Sequence, residues 1–153
     1  MDKNTGKQRL RIGIIGGSRA QPHHLELAYQ VGYLVGQRGG VIICGGLGGV
    51  MEAAARGAKD AGGFTVGLLP GSDYHEANQY IDLAIATGIG YARNALVALN
   101  SDVLIAVGGE YGTLSEIAFG RIYNKKVITL DSWDIPGVIQ ARTAEEACHL
   151  AGL

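Results

Sequence analysis

Glu116 lies four residues after Gly112, and both belong to the stretch Gly108-Gly109-Glu110-Tyr111-Gly112-Thr113-Leu114-Ser115-Glu116. A carboxylate so placed can bind ligand hydroxyls, act as an acid or base, or simply favour a helix start. The glycines let the backbone come close to a ligand. The helix start beyond them offers unpaired N–H groups and the positive end of a dipole, which suit a phosphate. The same composition occurs twice earlier, in Gly16-Gly17-Ser18-Arg19 and in Gly45-Gly46-Leu47-Gly48-Gly49-Val50-Met51-Glu52. Arg19 is either a forked phosphate ligand or a solvated loop arginine. Four glycines between positions 45 and 49 exceed what one turn needs, so main-chain contact with a ligand is expected there. Arg93 stands near a predicted helix start, where a cation opposes the dipole. It is either compensated by a buried anion or by Glu116, or it is exposed with its stem on apolar surface. Pro70-Gly71 either shapes a pocket wall or is an ordinary turn.

Each glycine stretch needs a strand to deliver it. Apolar, β-branched runs at 10–15, 41–44, 64–68, 103–107 and 127–130 read as strands, and 81–86 as a short strand or edge segment. Helical spacing begins at Pro22 and stops at Gly39-Gly40. It returns over 50–61, 91–99 and 114–123. A final helix over 143–150 has Thr143 and Glu146 in capping-box spacing. Strands alternating with helices over short connections give βαβ units. The expected architecture is α/β, one domain over residues 10–153, with a mostly parallel sheet and helices on both faces. Residues 1–9 are expected to be a flexible polar terminus. In such sheets ligands lie beyond the carboxyl ends of the strands, and all three glycine stretches follow a strand.

Composition narrows the function classes. Glycine makes up 25 of 153 residues, more than twice a usual share of about 7%, with no collagen period. The formal net charge is −1, so nothing points to nucleic acid. No apolar leader or membrane-length run is present, and a cytoplasmic soluble protein is expected. Cys44 and Cys148 form no CxxC pair, and Cys44 reads as a small buried apolar residue. No Cys/His cluster has zinc spacing, so no protein-ligated metal is expected. His23 and His24 fall near the first helix start, where they either face the pocket or, as expected, lie at the surface. Asp73 and Glu76 fall on a loop able to act as a lid. The full GxGxxG and GxxxxGK[ST] patterns are both absent, which disfavours ordinary dinucleotide and P-loop sites.

The stretch from Gly108 to Glu116 resembles the PGGxGTxxE signature of the Lonely Guy-like proteins, long mislabelled lysine decarboxylases. That resemblance implies a Rossmann-like fold and a homodimer or higher homo-oligomer. Enzymes of the family hydrolyse the N-glycosidic bond of cytokinin riboside 5′-monophosphates, which would assign Arg93 and Glu116 to catalysis. The chain departs from their pattern at two places: Val107 stands where the motif has proline, and Asn94 follows Arg93 where the enzymes have lysine. The short proteins with Gly16-Gly17-Ser18, Gly45-Gly46-Leu47-Gly48-Gly49-Val50-Met51 and Val107-Gly108-Gly109-Glu110-Tyr111-Gly112-Thr113 are similar to molybdenum cofactor carrier proteins. That resemblance implies a bound molybdenum cofactor (molybdopterin), held by the three glycine stretches with Arg19, Met51, Pro70, Arg93, Asn94 and Glu116. It implies molybdoenzymes as recipients and no catalytic residues.

Overall fold

The computed structural model describes residues 9–153. The expectation of a flexible terminus falls on residues 1–9, of which 1–8 lie outside the described residues. Among the described residues, seven strands form one sheet in the order β4-β3-β2-β1-β5-β6-β7. They are β1 (Arg11–Gly16), β2 (Val41–Cys44), β3 (Phe64–Leu69), β4 (Leu83–Ala86), β5 (Val103–Val107), β6 (Lys126–Leu130) and β7 (Ile139–Ala141). Every pairing is parallel, so the sheet is all-parallel where a mostly parallel one was expected. The α-helices among the described residues are α1 (Pro22–Gln37), α2 (Val50–Asp60), α3 (Arg93–Leu99), α4 (Tyr111–Ile122) and α5 (Ala144–Leu150). This is a Rossmann-like α/β domain. Among the described residues no helix is long and apolar enough to cross a membrane.

Strand β5 shows why continuous apolar runs become central strands. All five of its residues are buried, and alternate side chains serve opposite layers. Val103, Ile105 and Val107 join Ile12, Ile14, Val31 and Cys148 on the side of α1, α2 and α5. Leu104 and Ala106 join Ile15, Val97, Ala98 and Ile117 on the side of α3 and α4. The first layer is unusually tight because α1 and α2 meet through small residues. A Cβ on Gly32 would collide with the Ala54 carbonyl, and one on Gly36 would sit 2.7 Å from the oxygen of Ala58.

From β1 the chain walks outward through β2 and β3 to β4, then returns by way of α3 to place β5 against the other side of β1. The switch point therefore lies between β1 and β5, where Gly16 pairs with Val107. It brings the Gly16-Gly17 turn and the Gly108-Gly109 turn side by side at the carboxyl rim. Between β3 and β4 the chain makes no helix, only a single 3-10 turn at Tyr74–Glu76, capped by Asp73. The edge strand β4 occupies part of the apolar run at 81–86, and β7 is a strand that the sequence pattern does not announce.

Candidate functional site

Three turns meet at the rim. The N–H of Val50 donates to the carbonyl of Gly17 at 3.1 Å, and a Cβ on Gly49 would sit 2.6 Å from the backbone of Ser18. The 16–19 and 45–49 turns are thus in main-chain contact. A Cβ on Gly16 would lie 2.6 Å from the Val107 carbonyl, which joins the first turn to the third. Gly108 and Gly109 have φ of +56° and +94°, a region that side-chain-bearing residues enter only with strain. Their turn redirects the chain from β5 into α4.

The helices that open here lack side-chain caps. No cap hydrogen bond is made at Gln21 before α1, Gly49 before α2 or Glu110 before α4, whereas Thr143 accepts from the N–H of Glu146 at the start of α5. The N–H groups of Tyr111, Gly112 and Thr113 have no protein acceptor among the described residues. They stay available to an outside oxyanion. Their dipole adds to the attraction.

Below the turns lies a buried polar pair. Arg93 is 7% exposed and tied by Nε to the carbonyl of Leu68 at 2.9 Å. It also donates to the carbonyl of Gly45 at 3.5 Å and to Oδ1 of Asn94. The exposed alternative is excluded, and main-chain carbonyls, rather than a direct ion pair with Glu116, satisfy the guanidinium. Asn94 donates to Ser115 Oγ at 3.1 Å and to the carbonyl of Gly112 at 3.5 Å, so it braces the first turn of α4. Glu116 is also 7% exposed and has no hydrogen-bond partner among the described residues. Burial pushes its carboxyl up to about 8, and the pull of Arg93 only partly opposes that. At neutral pH the group is mostly the neutral acid. It can donate a hydrogen bond to a ligand oxygen without adding a negative charge.

The remaining sequence candidates take varied positions. Ser18 and Arg19 are exposed on the first turn, and the Arg19 side chain has no partner among the described residues. Tyr111 is 80% exposed at the rim, and Glu110 is exposed beside it. Thr113 is buried beneath Gly109, where a Cβ on that glycine would collide with it. Gly46 and Gly48 lie in the second turn, and the Met51 thioether is packed in the core under Gly45, leaving only its N–H at the turn. Pro70 directly follows β3, and its carbonyl accepts from the N–H of Gly90 at 2.9 Å, on the approach to Arg93. Cys44 is fully buried, as expected, with its thiol pushed up to about 11 by that burial.

Sequence patterns miss several supports. The Asn78 amide donates to the carbonyl of Leu47 at 2.8 Å and its N–H to that of Gly46 at 2.9 Å, pinning the second turn. Trp133 Nε1 donates to the carbonyl of Glu110 at 3.0 Å, and Ser132 Oγ to that of Gly108 at 2.5 Å. These partners lie 23 to 32 residues from what they hold, in loops without periodicity.

The model of the SLOG cluster4 family matches residues 9–151. The chain belongs to this family, within the Lonely Guy-like superfamily. Among SLOG relatives, a protein of Archaeoglobus fulgidus is 44% identical over 144 residues, covering 92% of this chain and 93% of the relative. The cytokinin riboside 5′-monophosphate phosphoribohydrolase of Mycobacterium tuberculosis is 34% identical over 127 residues, covering 74% of this chain and 67% of the enzyme. Among solved structures, the molybdenum cofactor binding protein from the phototrophic bacterium Rippkaea orientalis superposes with a TM-score of 0.90 at 39% identity, covering 95% and 96% of the two chains. The molybdenum cofactor carrier protein of Chlamydomonas reinhardtii superposes at 0.84 with 32% identity, covering 95% and 97%.

Proposed function

We propose that this SLOG protein binds and carries a phosphate-bearing cofactor, the molybdenum cofactor, through the glycine-lined carboxyl rim. The observation that carries the reading is the convergence of three main-chain turns on the β1/β5 switch point, with uncapped helix starts facing outward. Support also comes from neighbours of nearly equal length that are molybdenum cofactor proteins. The residues fit the group. A terminal phosphate suits the free N–H groups of Tyr111, Gly112 and Thr113, with the exposed Arg19 within the same rim. A pterin carries donors and acceptors that the neutral Glu116 acid can meet. When bound, the cofactor would supply a dithiolene-held metal, and the protein's share is to hold and shield it for delivery to molybdoenzymes. A homo-oligomer belongs to the same reading.

A second reading, N-glycosidic hydrolysis of a nucleoside 5′-monophosphate, is favoured by one observation: Arg93 and Glu116 are buried close enough for Arg93 to influence the acid. In it Glu116 would stabilise the developing sugar cation or position water. The fixed carbonyl partners of Arg93 and the Asn94 in place of lysine weigh against it.

The test is anaerobic isolation from a host that makes the cofactor, with molybdenum and oxidised, fluorescent pterin quantified per chain. Near-stoichiometric pterin and metal are expected in the wild type, with a loss of about tenfold or more in Gly112→Val, a change of about 1.4 kcal/mol in affinity. A Cβ on Gly112 meets nothing nearer than the Asn94 amide at 3.8 Å, so the added side chain crowds the rim without displacing the fold. Absence of both from the wild type, together with rapid release of base from adenosine or cytokinin monophosphates that Glu116→Ala abolishes, overturns the carrier reading.

A further inference from the structure

His23 and His24 open α1 directly after Pro22, and Asp131 follows the last residue of β6. More than a hundred residues separate them in the chain, yet the fold brings all three together at the carboxyl rim. Nε2 of His23 lies 3.0 Å and Nε2 of His24 2.8 Å from the same oxygen, Oδ2 of Asp131. The three potential donor atoms all fall within 4.8 Å of one another. The two imidazole centroids are 4.0 Å apart with the rings tilted by 46°. Consecutive helix residues ordinarily point about 100° apart around the axis, so two rings meeting one oxygen is a specific arrangement.

The backbone around them is shaped to hold it. Asp131 has φ of +48°, one of two non-glycine residues with positive φ among those described. Such a conformation costs on the order of 1–2 kcal/mol and persists only where the surroundings impose it. Gly108 stands beneath the His24 ring, and a Cβ there would sit 2.5 Å from Nδ1. The N–H of Gly108 donates to the carbonyl of Leu130 at 3.1 Å, and Ser132 Oγ donates back to the carbonyl of Gly108. The ends of β5 and β6 are thereby locked around the ring and the carboxylate. His24 has 14% of its side chain exposed, while His23 and Asp131 have 55% and 67%, which gives one anchored donor and two that an ion can reach from solvent.

We propose that His23, His24 and Asp131 form a binding site for a divalent transition metal of the zinc class, with at least one coordination position left open. Two imidazoles and one carboxylate are a donor set suited to zinc, cobalt(II) or iron(II), and poorly suited to magnesium or calcium, which take oxygen. Zinc bonds of about 2.0–2.1 Å in a tetrahedron put ligand atoms about 3.3 Å apart. The separations of 3.0 and 2.8 Å to the carboxylate oxygen need to widen by a few tenths of an ångström. The two imidazole donors, within 4.8 Å of one another, need to settle at that same spacing, which rotation of the exposed His23 ring can supply. Three protein ligands leave the fourth position to water or to an exogenous anion, as in catalytic rather than structural zinc sites. The expectation of no protein-ligated metal rested on spacing along the chain, which carries no trace of a partner delivered by the end of another strand. The site borders the glycine rim at Gly108 but does not rest on the cofactor reading.

The test uses the untagged full chain, stripped with chelator and titrated with zinc by calorimetry and with cobalt(II) by visible absorption. One ion per chain is expected, with cobalt d–d bands of a nitrogen- and oxygen-ligated site. Asp131→Asn keeps a residue that tolerates the left-handed backbone. His24→Ala and His23→Gln remove one donor each. Losing a mere supporting hydrogen bond in such sites weakens binding about 10–100-fold, so loss of a ligand should exceed about a hundredfold. His75→Ala, at an exposed histidine paired only with Asp73, should bind as the wild type does. Unchanged melting of Asp131→Asn and His23→Gln separates lost ligation from lost fold. Wild-type protein that binds no zinc at micromolar concentration, or an Asp131→Asn protein with unchanged stoichiometry and affinity, overturns the proposal.

Discussion

Glu116 holds a proton that an unfolded chain would not. Its carboxyl goes from an ordinary 4.5 to about 8, first because of burial and in spite of Arg93. Between those values the native state binds the proton and the unfolded state has released it. Stability from this group is therefore complete below about pH 4.5 and is lost as pH rises toward 8. We expect the urea-unfolding free energy of the wild type to fall across pH 5–8 relative to Glu116→Gln, by an amount on the order of a few kcal/mol. Parallel profiles for the two proteins would mean that the acid is not held neutral. Both Arg93 and Glu116 stand out in the sequence because each is a charge expected near a helix start that follows glycines, although α4 opens at Tyr111 and carries Glu116 in its second turn, past the reach of a capping role. Their partners do not. The carbonyls of Leu68 and Gly45 that hold Arg93 are main-chain groups that any sequence would carry, and only the fold aims them. Asn78 and Asp131 are illegible for the same reason, being loop residues whose neighbours come from other strands.

At the scale of elements, glycine content has two separate causes, and only one concerns a ligand. Gly108 and Gly109 shape the rim, whereas Gly32 and Gly36 lie inside α1 and exist for contact with α2. Replacing Gly32 with alanine improves helix propensity by about 1 kcal/mol, yet the new methyl must enter the Ala54 carbonyl. Overpacking of this kind costs about 1–3 kcal/mol, and more where backbone is the obstacle. The expected outcome is a lower thermal midpoint for Gly32→Ala, read by circular dichroism. A higher midpoint would show that the two helices separate freely. Central strands are readable because burial on both faces forces unbroken apolar runs, as in Val103–Val107. By contrast, β7 has only three residues, two of them exposed, and its parallel partner β6 supplies the order that Ile139-Gln140-Ala141 lacks. The α5 cap is half of the expected box. Thr143 accepts from the N–H of Glu146, but the Glu146 carboxylate takes the N–H of Arg142 at 3.3 Å, one residue before the cap.

For the whole molecule, the two layers of helices are unequal. Helices α1, α2 and α5 pack on one face, while α3 and α4 leave the β2–β4 end of the other face uncovered. A groove of about 740 Å³ runs there over Val41, Ile43, Phe64, Val66, Leu83 and Ile85. Phe64, Leu83 and Ile85 are 39%, 48% and 42% exposed. A contiguous apolar face of this kind on a parallel sheet, which is ordinarily covered on both sides, marks an interaction surface. Arg9 and Arg11 stand at one rim of the groove, so a partner must be apolar at its centre and tolerate cations at its border. A second copy turned about a twofold axis meets both conditions, since an isologous contact pairs each patch with itself off the axis. We expect light scattering to find a dimer or a multiple of it at micromolar concentration. Ile85→Lys, placed on the edge strand away from the glycine rim's hydrogen bonds, should shift the population to monomer with the fold intact by circular dichroism. A lysine buried in an apolar contact carries an unpaired charge out of water, so dissociation is the expected outcome, and a wild-type monomer at those concentrations would overturn the self-association of this face.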